Sequence, residues 1–167
     1  MRTDLATQFE MQISEHRKIL YKICNVYCAN PDDREDLAQE MLVQLWRSFS
    51  SFDGRCLFST WMYRVALNTA ITFIRHEFTR RRYVISVEER LLASVPAREK
   101  DSAELQVLYD LIDGLDPLNK AIVLLYLDGN SYQETSDILG ITPTNVATKL
   151  NRFKENLKER FERTSAR

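Results

Sequence analysis

One stretch near the end of the chain constrains the fold most, because its end signals define two helices separated by a tight turn. Ser131 is followed three residues later by Glu134, which is the pattern of a capping box, so a helix begins there. Gly140 supplies the left-handed residue that ends this helix. Thr142 then caps a second helix, and Pro143 takes its first position, where a missing N–H group costs nothing. This layout predicts a helix-turn-helix, whose second helix can lie in a DNA major groove.

Nearly every other segment has helical periodicity, and no alternating pattern of useful length indicates a strand. Pro31 interrupts the first helical segment, and Asp32 with Glu35 has the spacing of a second cap. The helices predicted before the helix-turn-helix are 6–29, 32–49, 59–81, 103–114 and 117–129. The sequence therefore predicts an all-α fold.

The helices group into two small domains. Residues 84–102 contain Pro96, mixed charge and little periodicity, which predicts a flexible acidic linker between a domain at 1–83 and a domain at 103–167. The net charge of −1 conceals a segregation of charge. Residues 51–83 contain six basic and two acidic residues, whereas residues 84–118 contain three basic and eight acidic residues. Such blocks indicate more than one kind of partner.

Enzyme signatures are missing from the sequence. There is no phosphate-binding glycine loop, metal-ligand cluster or nucleophile elbow, and only His16 and His76 are available for a histidine-based triad. The three cysteines form no metal pattern, which favours reduced, half-buried thiols over a redox or metal pair. We therefore expect no catalytic residue, metal or cofactor. The lack of a signal peptide or long apolar stretch predicts a cytoplasmic protein without membrane insertion.

The second helical segment combines an apolar face with acidic and amide side chains. Its apolar face is formed by Leu37, Met41, Leu45 and Phe49. The remaining side chains either form a plain solvated face or dock a basic partner around an aromatic anchor. The candidate docking side chains in this pattern are Asp36, Gln39, Glu40 and Gln44, with Trp46 close to the edge of the face.

Aromatic and basic residues interleave in the next segment, at Phe52, Arg55, Phe58, Trp61, Tyr63 and Arg64. Unpaired bases stack on aromatic faces while cations follow the nucleic-acid backbone, so this segment suits single-stranded DNA. The alternative is that Trp61, Val65 and Leu67 are largely core. The same helix ends in Arg75, His76, Arg80, Arg81 and Arg82, which is either a solvated terminus or a phosphate-contacting patch.

The second helix of the helix-turn-helix separates into two faces. Val146, Leu150 and Phe153 have the spacing of inward-facing residues. The residues left to face DNA are Thr144, Asn145, Thr148, Lys149 and Arg152. Thr135 and Ser136 depart from the aliphatic residue and alanine that such motifs more often carry. A helix pair used for protein contact is the alternative.

The order of these motifs resembles a bacterial RNA polymerase sigma factor of the extracytoplasmic-function (ECF, group IV) type, in the sigma-70 family. The resemblance covers about 13–161 and rests on Asp36-Leu37-x-Gln39-Glu40, on Phe52-Asp53-Gly54 with the following Phe58-to-Asn68 run, and on Ser131-Tyr132-Gln133-Glu134. It implies an alternative sigma factor that binds core RNA polymerase and directs promoter-specific initiation.

The resemblance also implies a role for each motif. Residues similar to Asp36, Gln39, Glu40, Leu45 and Trp46 would contact the β′ clamp of the polymerase, and the chain would also contact the β flap. The residues implied for the −10 element and the DNA upstream of it are Phe52, Asp53, Arg55, Phe58, Trp61, Arg64, Asn68, Arg75, Arg80, Arg81 and Arg82. The second domain would read the −35 element, and an anti-sigma factor is implied as a partner. A stand-alone helix-turn-helix regulator is the rival interpretation, but it has no need for the docking face or the aromatic segment.

Overall fold

The computed structural model describes residues 2–84 and 102–166, with side chains described at 4–80 and 102–166. All secondary structure in these ranges is helical, which confirms the predicted all-α fold. The chain divides into two compact units, Met1–Arg82 (unit 1) and Tyr83–Arg167 (unit 2). The predicted linker 84–102 lies outside the described residues except at its two ends.

Three long helices build unit 1, α1 (Arg2–Tyr27), α2 (Pro31–Phe49) and α3 (Phe58–Val84), and the last two residues of α3 lie past the boundary of the unit. The turn after α1 is held by Arg34, whose guanidinium donates hydrogen bonds to the carbonyls of Cys28 (2.8 Å) and Ala29 (3.0 Å). These carbonyls lie just past the end of α1, where a helix leaves its last acceptors unsatisfied. A side chain near the start of α2 therefore fixes how the chain leaves α1.

The cap of α2 differs from the prediction. Asn30 is the N-cap, its side chain accepts a hydrogen bond from the backbone N–H of Asp32 at 2.7 Å, and Pro31 takes the first helical position. The predicted cap at Asp32 is therefore wrong by two residues. The physical reason is that Pro31 fits the first turn, where its missing N–H group would have no partner, so it begins the helix instead of interrupting it.

The core of unit 1 joins all three helices. α1 and α2 pack along each other, and the most deeply buried side chains are Ile23, Leu37, Met41, Leu45, Met62 and Leu67. Phe49 of α2 contacts Phe58 and Trp61 of α3, each with ring centroids 6.3 Å apart. His16 of α1 also contacts this cluster, with its ring centroid 5.1 Å from that of Phe58. The start of α3 is thus anchored by rings from both neighbouring helices.

Unit 2 contains four shorter helices, α4 (Ala103–Asp113), α5 (Pro117–Leu127), α6 (Tyr132–Leu139) and α7 (Pro143–Ser165). Each helix begins at a side-chain cap, supplied by Ser102, Asp116, Ser131 and Thr142. α7 packs against all three other helices of the unit. The core of unit 2 is therefore built around the longest helix.

The helix-turn-helix formed by α6 and α7 confirms the predicted end signals. The backbone N–H of Glu134 donates to the Ser131 hydroxyl at 3.1 Å, and the Ser131 N–H donates to the Glu134 carboxylate at 2.6 Å. Gly140 ends α6 in the left-handed conformation, with φ of 68°. Because that conformation is strained for residues with a side chain, glycine is suited to this position.

Lys154 connects α7 to both α5 and α6. Its ammonium group lies 4.5 Å from the centre of the Tyr126 ring and donates a hydrogen bond to the Tyr132 hydroxyl at 3.4 Å. Hydrogen bonding to Tyr126 and Tyr132 raises the pKa of Lys154. Because Lys154 lies on the solvent-exposed surface, this contact contributes only modestly to the stability of unit 2.

Candidate nucleic-acid interface

The outer face of α7 carries the residues predicted to read duplex DNA. Thr144, Asn145, Thr148 and Arg152 are exposed, and Lys149 is half-buried. Val146, Leu150 and Phe153 are buried on the opposite face, as predicted. The amide, ammonium and guanidinium groups can donate to base edges or to phosphates in a major groove. The Thr148 hydroxyl donates to the carbonyl of Thr144 at 3.0 Å, which fixes its rotamer on this face.

A second exposed stripe runs along α3. Arg64, Asn68 and Arg75 are exposed, and their spacings of four and seven residues place them on one side of the helix. Thr72 and Thr79 are exposed on the same side, although they were not among the predicted site residues. The helical period of 3.6 residues would have identified both threonines. From Arg64 to Thr79 the stripe is about 22 Å long at 1.5 Å per residue.

Arg80 extends this basic region toward the end of α3. Arg80 is exposed and lies 3.6 Å from the carboxylate of Glu77, in an ion pair that solvent weakens. The side chains of Arg81 and Arg82 lie outside those that the structure describes.

The loop between α2 and α3 presents Asp53 and Arg55 to solvent. The Asp53 carboxylate accepts a hydrogen bond from the backbone N–H of Arg55 at 3.1 Å and pairs with the Arg55 guanidinium at 3.0 Å. Gly54 between them has a positive φ of 74°. Both charged side chains are well exposed, so their ion pair is weak and can exchange for a contact with a ligand.

The aromatic rings behind this loop form a cluster. Phe52 is half-buried, with its ring centroid 5.6 Å from Phe58 and 5.3 Å from Trp61. Phe58 and Trp61 are each only 8 % exposed. Their burial leaves little ring face for the direct base stacking predicted for them, because Phe49 and His16 cover them from α2 and α1. In this arrangement Phe52 is the ring that a base can reach, and Phe58 and Trp61 support it.

The predicted docking residues on α2 separate into exposed and buried groups. Asp36, Gln39 and Glu40 are exposed, and Trp46 is 45 % exposed with its ring edge-on to Phe9 at 5.1 Å. Leu45 is fully buried, so its assignment to the docking face is wrong. It belongs to the apolar stripe that packs into the core.

A groove of about 560 Å³ separates this face of α2 from the stripe on α3. Its α2 wall contains Glu40, Gln44 and Ser48. Asn68 and Thr72 of the α3 stripe line the opposite wall. The candidate docking face and the candidate DNA stripe are therefore neighbouring surfaces of the same unit.

The described residues contain no cluster of three His, Cys, Asp or Glu side chains that could hold a metal ion. Cys24 and Cys28 are buried, Cys56 is half-buried, and all three are free thiols. Burial raises the pKa of the Cys24 thiol, although the nearby Arg34 acts in the opposite direction. Across the described ranges, no helix has the length and apolar character needed to cross a membrane.

Family comparisons match both units. The profile for sigma-70 region 2 matches residues 12–79, and a profile for sigma-70 region 4 matches residues 105–157. The first match spans the α2 face, the loop and the α3 stripe. The second includes α6 and most of α7.

Individual relatives agree with the profiles. The chain is 26 % identical to an ECF RNA polymerase sigma-E factor of Haemophilus influenzae, over 92 % of this chain and 87 % of the relative. It is 31 % identical to an ECF RNA polymerase sigma-E factor of Salmonella typhimurium, over 74 % of this chain and 71 % of the relative. Among solved structures, the sigma factor RpoE of Bartonella quintana, crystallised with the anti-sigma factor NepR, matches with a TM-score of 0.70. That match has 20 % identity and covers 93 % of this chain and 97 % of the other, so it shows a shared fold.

Proposed function

Because this chain belongs to the ECF sigma factors of the sigma-70 family, it directs promoter-specific transcription initiation by RNA polymerase, and we propose how its surfaces divide that task. A stand-alone helix-turn-helix regulator is not favoured, since such a protein would have no use for the region 2 match at 12–79. The observation that carries the proposal is the exposed stripe on α3, which begins beside the aromatic loop and continues along the helix.

In this proposal, unit 1 holds the melted −10 element. Phe52 offers a stacking surface to an unpaired base, with Asp53 and Arg55 beside it on the loop. Arg64 and Asn68 follow on α3, and Arg75 contacts phosphates of the duplex upstream. Stacking compensates for part of the few kcal/mol that extruding a base costs.

Unit 2 reads the −35 element through the outer face of α7. Asn145, Lys149 and Arg152 supply the base-edge and phosphate donors, and Thr144 and Thr148 line the same face. Phosphate contacts contribute affinity, and a small number of base contacts contribute the choice of site. Residues 119–167 contain eight basic and six acidic residues. This modest positive charge is sufficient if the polymerase supplies much of the affinity.

The acidic face of α2 docks on the β′ clamp of core polymerase, and unit 2 contacts the β flap. Asp36, Gln39 and Glu40 supply acceptors for a basic partner, and Trp46 is the aromatic anchor at the edge. Since the polymerase and the chromosome are cytoplasmic, the protein acts in the cytoplasm. It contributes specificity and catalyses no reaction itself.

An anti-sigma factor is the second proposed partner. The support comes from the Bartonella quintana sigma factor, which was crystallised with such a protein and shares this fold. A partner of this kind would inhibit initiation by covering the surfaces assigned above to polymerase and DNA.

The docking proposal is tested with a charge reversal. Asp36→Arg should weaken equilibrium binding of the full chain to core polymerase at least about tenfold, because a basic partner surface would then face a like charge. Glu10→Arg makes the same charge change at an exposed position of α1 and should leave binding unchanged. Equal binding by wild type and Asp36→Arg, or equal losses in both variants, would contradict the proposed docking face.

A further inference from the structure

One side chain bridges the turn of the helix-turn-helix. Ser136 lies on α6 and is 6 % exposed, and its hydroxyl donates a hydrogen bond to the carbonyl of Ile141. The backbone carbonyl of the same residue accepts a hydrogen bond from the N–H of Gly140 at 2.9 Å. Ser136 therefore binds two successive residues of the turn, one through its backbone and one through its side chain.

The position of Ile141 makes this side-chain contact important. α6 ends at Leu139, Gly140 is its left-handed C-cap, and Thr142 is already the N-cap of α7. Ile141 is therefore the single residue between the two caps. Rotation of the peptide group that follows it would change the direction in which α7 leaves the turn. The Ser136 hydroxyl holds the carbonyl of that peptide group.

We propose that Ser136 is a positioning residue, which fixes the orientation of α7 relative to α6 and so the register of its outer face on the −35 element. The proposal depends on the proposed reading of that element by α7. Alanine at this position would allow the same close approach of the helices, because it is smaller than serine. Packing therefore does not require the hydroxyl. Removal of the hydroxyl takes away the hydrogen bond to the Ile141 carbonyl and with it the constraint on the direction of α7.

The adjacent residue offers a matched control. Thr135 is 1 % exposed, and its buried hydroxyl has no hydrogen-bond partner among the described residues. Thr135→Val and Ser136→Ala each remove one buried hydroxyl from neighbouring positions of the same helix. Only Ser136→Ala removes a hydrogen bond across the turn.

The experiment uses the full chain assembled with core polymerase and a promoter selected by run-off transcription from genomic fragments. Initiation is compared on the intact promoter and on a copy with a substituted −35 element, and the ratio of the two rates measures discrimination. Ser136→Ala should lower this ratio about fivefold, the factor that corresponds to one net buried hydrogen bond. Ser136→Cys keeps the shape of the side chain, with a somewhat larger sulfur atom that donates poorly, and should also lower the ratio. Thr135→Val should leave it unchanged.

Three further results would overturn the inference. If the role of Ser136 is merely structural, Ser136→Ala will lower the thermal midpoint of unit 2. Discrimination will then be the same as in wild type at temperatures where both proteins are folded. Equal losses in Ser136→Ala and Thr135→Val would show that any buried substitution here has the same effect. If wild type itself fails to discriminate, the proposed −35 reading fails together with the inference, whereas discrimination by wild type and equal discrimination by Ser136→Ala overturns the inference alone.

Discussion

Replacing Thr135 with valine should make unit 2 more stable, although the residue is among the most buried of the helix-turn-helix. Thr135 is 1 % exposed, and its hydroxyl has no hydrogen-bond partner among the described residues. A buried polar group without a partner costs about 1–3 kcal/mol, and valine keeps the branched shape while removing that group. Threonine and valine have similar helix propensities, so the backbone contribution largely cancels. We expect the free energy of unfolding of unit 2 to rise by about 1–2 kcal/mol.

The expected gain is large enough to measure in a thermal unfolding experiment. For a domain of 60–100 residues, 1 kcal/mol shifts the midpoint by roughly 4–8 °C, so the unit 2 transition should rise by roughly 5–15 °C. Both tryptophans of the chain, Trp46 and Trp61, lie in unit 1. Tryptophan fluorescence therefore follows unit 1 alone and serves as an internal control, while far-ultraviolet circular dichroism follows both units.

The refuting outcome for Thr135→Val is specific. An unchanged or lowered midpoint of unit 2, with an unchanged fluorescence transition, would mean that the hydroxyl is satisfied in solution, for example by a bound water. The assignment of Thr135 as a destabilising departure from an aliphatic residue would then be wrong.

Three other predictions concern local features. Trp61→Ala should lower the free energy of unfolding of unit 1 by about 3–5 kcal/mol, and Arg64→Ala should change it by no more than about 0.5 kcal/mol. Chemical denaturation followed by circular dichroism checks both variants. Similar small losses in the two would show that Trp61 is not part of the core. Gly140→Ala should cost unit 2 about 1 kcal/mol in thermal unfolding because φ is 68°, and an unchanged midpoint would contradict the left-handed cap. Burial raises the pKa of Cys24 above 9.0, so the stability from the neutral thiol is present below pH 9.0 and is lost as pH rises through the raised pKa. The free energy of unfolding of unit 1, measured from pH 8 to 11, should show this loss. Cys24→Ala should make the loss smaller.

Local signals in the sequence predicted the helix-turn-helix closely. Ser131, Gly140 and Thr142 act through contacts within a few residues of themselves, so the sequence contains most of the information that determines them. The same logic also identified the apolar stripe of α2. Leu45 was misassigned because the family resemblance placed it on the docking face, whereas its spacing with Met41 correctly predicted burial.

The aromatic segment shows where sequence reasoning ends. Spacing within α3 cannot tell whether Phe58 and Trp61 face solvent, because Phe49 from α2 and His16 from α1 cover them. Such coverage depends on how separate helices pack. The cap at Asn30 was missed for a different reason, since the Asn-Pro pair was present and Pro31 was interpreted as a break.

The central claim is that the two units read different promoter elements for one polymerase. The most direct test measures initiation by core polymerase with the full chain on a selected promoter, and on copies with a substituted −35 or −10 element. Arg152→Ala should reduce discrimination at −35 by about tenfold and leave −10 discrimination intact, and Arg64→Ala should do the reverse. Failure of the wild-type chain to support promoter-specific initiation, or equal effects of each variant on both elements, would contradict the account.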